Sequence, residues 1–476
     1  MSEPRELPPA TPYDPSLPNQ SVKSRIITFT ARFAPQSERG TFLLVFAITL
    51  ATRLPFIDAG YGTAPDAWRL ARIAILIKDG GEYLASRLPG YPLPEIVMSQ
   101  LWSCQPLALN GATALMSAFA AAFFAITLRR LGSSRVISCS LAFALTPLIF
   151  LNSVITLDVI WALAFIMAAL YASVREKPLV AGVLLGCAIG CRITSGAMIV
   201  PLAIVLWTNG SPTRNPRKLA LFALATGAIG AMWFCPVFLK YGAGFFSFEQ
   251  YTAYPEWSRI KWMLKEKTWG IIGTKVAYWS LLLLAIRFSY MRYFQGRALT
   301  VSGRIVLASV VAIAIYLGAF FSLPHERYLV PVIPFALLLF DSLAGAWLSR
   351  LLYFGLILSP FMYFCGGFKA CPGPIYEDQD LRLKQMEFID NVITASRNID
   401  SNAVIVSGWW LPQIQTILMS ERLGHEKFVY LIDSTEIAVR KSSGVKVYYL
   451  SGMDEYNREA KGVSLRELGA TQLTLK

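Results

Sequence analysis

Residues 57–96 read IDAGYGTAPDAWRLARIAILIKDGGEYLASRLPGYPLPEI. The stretch begins just past an apolar run that opens at Thr41 and precedes a second one at residue 106. Pro65 suits the first position of a helix, and the acid Asp66 in its first turn suits the helix dipole. Trp68, Arg69, Leu70 and Arg72 continue a helical, amphipathic pattern, as expected of a helix lying along a membrane surface. Tyr83, Ser86 and Arg87 follow, and then the rigid turn LPGYPLP. A chain that leaves one span, runs along the surface and re-enters through a Pro-rich turn is polytopic.

Composition agrees. Of 476 residues, 55% are hydrophobic and 16% charged, against about a quarter charged in soluble domains, and mean hydropathy is +0.48. These values exclude a soluble globular enzyme and a disordered chain. Apolar runs recur through the first three quarters, each of about 20 residues and so long enough for a hydrocarbon core of about 30 Å. The runs predict eleven spans: 41–57, 106–128, 136–151, 154–173, 179–191, 194–208, 218–239, 274–290, 304–322, 328–348 and 351–367. Residues 179–208 fit one long helix or two short ones. The break is placed at Arg192, because a charge at mid-bilayer costs at least about 2.5 kcal/mol.

Basic residues cluster between the runs: Arg129, Arg130 and Arg135, then Arg175 and Lys177, then Arg214, Arg217 and Lys218, then Arg287, Arg292, Arg297 and Arg304. With eleven spans all these loops share the side of the N-terminus, which is therefore cytoplasmic. The net charge of +14 is then a matter of topology rather than of nucleic-acid binding. Three parts are expected: a polar cytoplasmic segment 1–39, a transmembrane domain 40–367 with outer loops 58–105 and 240–273, and an extracytoplasmic tail 368–476. In the tail, strand-like runs at 402–407, 427–432 and 445–450 alternate with helix-like stretches such as 380–397, the pattern of a small α/β domain. Cys365 and Cys371 are close enough in sequence to pair outside the cell. With only His325 and His425, a His-rich metal site is excluded.

One outer span followed by a long loop opening with an acid and a Pro-containing re-entry resembles the C-type glycosyltransferases (GT-C fold). Within that fold it resembles the bacterial members of the protein mannosyltransferase and lipid A aminoarabinose transferase superfamily (glycosyltransferase family 39-like). Four further segments fit in order: RLPGYPL (87–93), SVITLDVIWALAF (153–165), GVLLGCAIGCRITSGAMIVPL (182–202) and LPHERYLVPVIPF (323–335). Together they cover about residues 40–345, not the tail. The resemblance implies an α-helical polytopic GT-C fold in the cell inner membrane. It also implies an inverting glycosyltransferase (EC 2.4 class) that moves a sugar from a polyprenyl-phosphate donor to a lipid, glycan or protein acceptor at the outer face.

The chemistry suits these residue types. An acceptor hydroxyl needs a base, which a carboxylate supplies. A departing lipid phosphate needs fixed positive charge, and arginine matches phosphate oxygens with a planar fork. By matching positions, Asp66 is expected as the base and Asp158 as a group orienting the acceptor or a metal. Arg327 comes first for the donor phosphate, then Arg192, then Arg69, with His325, Tyr83 and Arg87 as further substrate contacts. Each has a plainer alternative: Asp66 and Asp158 as helix caps, Arg327 as an interfacial cation, Arg192 as half of an internal pair. Asp66 is followed by Ala67 rather than a second acid, which weakens any two-carboxylate site, so a divalent metal is left open and no other cofactor is expected.

Three other features stand apart from these motifs. The loop SFEQYTAYPEWSRIKWMLKEKTWG (247–270) fits a helix on anionic headgroups or a lid. Asp378-Gln379-Asp380 matches a DxD triplet without nucleotide-binding context. Trp409 and Trp410, after Gly408, fit either a sugar platform or domain core. The competing class is a polytopic transporter or lipid flippase, which would line an internal path with charge and usually carry an inverted repeat. A glycosyltransferase should instead gather Asp66, Asp158, Arg192 and Arg327 in one outer cavity.

Overall fold

The computed structural model of the chain describes residues 37–101, 105–207, 215–246, 303–320, 326–344, 346–365, 369–400, 402–424 and 426–475. The tryptophan-rich loop 247–270, the expected span 274–290, His325 and nearly all of the N-terminal polar segment lie outside these residues. The described chain is mostly helical. Helix α1 (Glu38–Arg53) starts on Ser37, whose side chain accepts from the Gly40 N–H, satisfying one of the open donors at a helix start. The decisive stretch forms α2 (Pro65–Gly80) and α3 (Pro92–Ser99), each with proline in its first turn. Then come α4 (Pro106–Arg130), α5 (Val136–Leu145), α6 (Pro147–Ser153), α7 (Val159–Val174), α8 (Pro178–Cys191), α9 (Ile199–Leu206), α10 (Asn215–Tyr241), α11 (Gly303–Phe320), α12 (Val332–Leu343) and α13 (Ala346–Leu358).

Among the described residues, three helices are long and apolar enough to cross a membrane: Glu38–Phe56, α4 and α10. The pair α5 and α6, bent by 63°, makes a fourth. The other apolar helices are shorter, so length marks three or four spans where the sequence predicts eleven. The expected run 136–151 is bent because Pro147 removes an N–H and crowds the preceding turn. Arg53, fully buried, serves that bend: it donates to the Ala144 carbonyl, reaches the Ser153 hydroxyl at 3.1 Å and lies 4.4 Å over the Phe150 ring. The expected run 351–367 is corrected. It stops as helix at Leu358, just ahead of Pro360, and the chain turns into an antiparallel hairpin of β1 (Met362–Cys365) and β2 (Lys369–Pro372).

Helix α8 ends at Cys191, and Arg192 is extended at φ −160° and ψ 114° before a tight turn over Ile193–Met198 leads into α9. Against α8 packs α10, at a distance set by Gly182, Gly186 and Gly190. A Cβ on these would stand 2.5 Å from the Phe222 carbonyl, 2.6 Å from Ile229 Cβ and 2.6 Å from Trp233 Cγ. Small residues every fourth position let two backbones approach where lipid offers no hydrophobic drive between helices. Phe124, Phe143, Leu163, Leu185, Leu202 and Ile333 belong to one continuous buried cluster.

The tail opens with α14 (Pro374–Arg397) and continues as β3 (Val404–Val406), α15 (Leu411–Ser420), β4 (Phe428–Val429), α16 (Ser434–Ser442), β5 (Val447–Tyr449), α17 (Met453–Lys461) and β6 (Thr471–Gln472). The strands form a parallel sheet in the order β4-β3-β5-β6, with Ile405 opposite Phe428 and Val404 opposite Val447. All three residues of β3 are buried, as expected of a parallel strand covered on both faces. Arg382, buried in α14, ties the tail down by donating to the carbonyls of Phe56 at 3.0 Å and Val154 at 3.2 Å. In addition, α15 packs on α2. Cys371 is disulfide-bonded, whereas Cys139, Cys187, Cys191 and Cys235 are free.

Candidate active site

Two loops bring the acids together. In the helix α4, the side chain of Asn110 donates to the carbonyls of Ile57 at 2.7 Å and Gly60 at 2.9 Å, and accepts from the Thr156 hydroxyl at 2.7 Å. The Thr156 N–H donates to the Tyr61 carbonyl at 2.8 Å, and the Trp68 indole to the Gly62 carbonyl at 2.7 Å. The segment entering α2 is thereby fixed beside the segment entering α7. Asp66 on the first turn of α2 and Asp158 just ahead of α7 face one pocket.

That pocket is lined by Asp66, Arg69, Leu70, Ser86, Arg87, Tyr91 and Asp158, and holds about 200 Å³ of atom-free space open to solvent. Arg87 is ion-paired with Asp66. Arg327, delivered by the turn Glu326–Leu329, reaches the same carboxylate at 3.1 Å. Arg69, one turn along α2, stands 3.8 Å from Asp66. Behind them Asp158 and Arg192 form a second pair at 3.0 Å, and the Arg192 guanidinium lies 4.5 Å from the centre of the Tyr328 ring. Four guanidiniums face two carboxylates, so these six residues carry an excess of two positive charges.

The turn that carries Arg87 is held from below. Glu95, buried in α3, accepts from the Tyr83 hydroxyl, the Ser86 N–H at 2.8 Å, the Ser86 hydroxyl at 2.7 Å and the Tyr91 N–H at 3.1 Å. Burial pushes its carboxyl above the usual range despite these donors. The peptide before Pro89 is cis. Arg87 Nε donates to the Tyr91 hydroxyl at 2.6 Å. Burial and then Asp158 push that phenol up to about 12, so at neutral pH it is uncharged and keeps a proton to donate.

The structure thus brings Asp66, Asp158, Arg192, Arg327, Arg69 and Arg87 to one place. Tyr83 does not line the pocket, because Glu95 draws its hydroxyl away. Tyr61 is buried edge-on against Trp68 at 5.0 Å and is core. The DxD acids serve α14, where Asp378 pairs with Arg382 at 2.9 Å and Asp380 with Lys384 at 2.7 Å. Among the described residues no group of three or more His, Cys, Asp or Glu side chains could hold a metal ion. Asn110, Thr156 and Glu95 were not expected from sequence. The available signal was that each is a polar residue in apolar surroundings, and in a membrane protein such residues are seldom idle.

No protein-family model and no curated relative matches this chain. Two solved structures share its fold. The crystal structure of ArnT from Cupriavidus metallidurans bound to undecaprenyl phosphate is 14% identical, with a TM-score of 0.56 over 90% of this chain and 89% of that one. The crystal structure of the same protein in the apo state is 14% identical, with a TM-score of 0.55 over 84% of this chain and 88% of that one. At such identity the likeness concerns the fold, and it supports the GT-C architecture expected from the outer-loop motifs.

Proposed function

We propose that this chain is a membrane glycosyltransferase that moves a sugar from a polyprenyl-phosphate donor to an acceptor hydroxyl at the outer face, inverting the anomeric carbon. One observation carries the reading: a carboxylate on a pocket wall, Asp66, is held by two partly exposed arginines, Arg87 and Arg327, in a cavity with excess positive charge. A fold shared with a protein crystallised with undecaprenyl phosphate supports it.

The steps follow from charge. Phosphate oxygens compete with Asp66 for the two guanidiniums, which match them as bidentate donors. Donor binding thereby turns Asp66 from an ion-pair partner into a base facing the acceptor. The acceptor oxygen attacks the anomeric carbon opposite the phosphate, and the bond from that carbon to the phosphate oxygen breaks. The hydroxyl proton passes to Asp66, and the charge left on the polyprenyl phosphate falls on Arg87 and Arg327. Asp158 and Arg192 neutralise each other and hold the wall, and this reading takes Arg87 ahead of Arg192 as a phosphate contact. A disulfide at Cys371 suits an oxidising, extracytoplasmic tail.

The test is sugar transfer in membranes carrying the wild type or Asp66→Asn, supplied with a panel of radiolabelled polyprenyl-phosphate sugars. Transfer to a lipid, glycan or protein fraction by the wild type alone is expected. Equal labelling by both removes Asp66 as base. No transfer from any donor by the folded wild type favours a transporter.

A further inference from the structure

Adjacent tryptophans in the tail meet opposite fates. Trp410 lies against Phe388, tilted by 39° with ring centres 4.5 Å apart, and packs against the buried cluster of the sheet. Trp409 is 46% exposed. It follows Gly408, at φ +51°, a left-handed conformation that favours glycine, where a Cβ would stand 2.3 Å from the Met453 sulfur. The exposed indole meets Tyr456 edge-on at 4.7 Å. Tyr456 in turn shares a hydroxyl–hydroxyl hydrogen bond of 2.7 Å with Tyr430, itself exposed.

The three rings come from separate connections. Trp409 follows β3, Tyr430 follows β4, and Tyr456 lies in α17 after β5. All stand at the carboxyl ends of a parallel sheet ordered β4-β3-β5-β6. The connection after β3 runs to β4 on one side and that after β5 to β6 on the other, so the crevice between β3 and β5 is the switch point where open α/β sheets bind ligands. The same edge looks toward the membrane domain: α15, which begins just after Trp409 and Trp410, packs on α2, and Arg69 of α2 acts electrostatically on Tyr430 while standing 3.8 Å from Asp66.

We infer that Trp409, Tyr430 and Tyr456, with Arg69 at their edge, form the acceptor subsite, and that the acceptor is a carbohydrate whose pyranose ring lies on the aromatic faces. A pyranose has an apolar C–H face and a rim of hydroxyls. The indole and phenol rings take the first, and two tyrosine hydroxyls and a guanidinium take the second. An interfacial aromatic belt would instead sit at the ends of spans, whereas these rings gather on the binding edge of a sheet. The inference rests on the glycosyltransferase reading, which it deepens by assigning the acceptor class.

The test uses the purified full-length chain in lipid nanodiscs and saturation-transfer NMR with cellobiose, chitobiose and mannobiose as probes. At least one disaccharide is expected to receive saturation at its ring C–H protons. Trp409→Ala should weaken that binding about tenfold, or 1.4 kcal/mol. Tyr456→Phe, which keeps the ring, should weaken it less. Absence of saturation for all three probes, or an unchanged signal in Trp409→Ala, overturns the subsite. Saccharide binding by a chain that transfers nothing from any polyprenyl-phosphate sugar overturns the glycosyltransferase reading while the platform stands as a binding site, so the two failures are told apart.

Discussion

Two aspartate–arginine centres sit side by side at this cavity and differ in how far they are exposed. At Asp66 the carboxylate is 14% exposed and its partners Arg87 and Arg327 are 27% and 12% exposed. At Asp158 and Arg192 the figures are 3% and 7%, with Tyr328 stacked on the guanidinium. The chemistry is the same, but the accessibility is not. A pair open to the pocket can exchange one anion for another, whereas in the second pair Asp158 is part of the pocket wall but is held by a buried Arg192 that does not line it, so that pair can only be broken. The first centre therefore suits catalysis and the second suits the wall that supports it.

Substitutions should pull the two apart. Asp66→Asn is expected to lower transfer by about 10²–10⁴-fold, the contribution of a positioned base, while thermal unfolding in detergent stays within a degree of wild type. Arg192→Met should do the reverse. It strands a buried carboxylate, and such a loss costs about 3–5 kcal/mol, read as a lowered unfolding midpoint. Adding Asp158→Asn to it should restore much of the stability. If Arg192→Met folds normally and loses only transfer, the distinction between the centres fails.

Arg87→Ala and Arg327→Ala should each lower kcat/KM for the donor by about 10²–10³, the effect of removing one donor that stabilises developing negative charge, with little change in unfolding. The smallest effect is expected at Glu95. Because burial raises its carboxyl in the folded chain, the folded state keeps that proton to higher pH than the unfolded state. Stability from this group is full below the unfolded value and falls as pH rises through the folded one. Glu95→Gln does not titrate and should flatten that part of the stability–pH curve. It should also cost about 1–3 kcal/mol, because its amide nitrogen faces an N–H donor of Ser86 or Tyr91. An unaltered curve would show that Glu95 does not anchor the turn.

The sequence exposed what is local. Asp66 behind Pro65, Arg87 in RLPGYPL, Asp158 at the start of an apolar run and Arg327 ahead of another each sit in a short motif. The break at Arg192 was legible from the cost of a charge at mid-bilayer. Long-range contacts were hidden. Asn110 joins residues about 50 positions away on either side, and Arg382 reaches the membrane domain from the tail. The hairpin at Met362–Cys365 was hidden because four apolar residues extend a helical run as readily as they form a strand. The burial of the arginines is what spacing does not reveal: Arg192 is buried against Asp158, and Arg87 is partly exposed on the pocket wall.

The central claim is that Asp66 and the donor phosphate compete for the same two arginines. Binding of undecaprenyl phosphate to the purified chain, measured for wild type, Asp66→Asn and Arg87→Ala with Arg327→Ala, tests it most directly. The account predicts that Asp66→Asn binds this lipid more tightly than wild type although it transfers sugar far more slowly, and that the double arginine variant binds it more weakly. Unchanged or weaker binding by Asp66→Asn would contradict it.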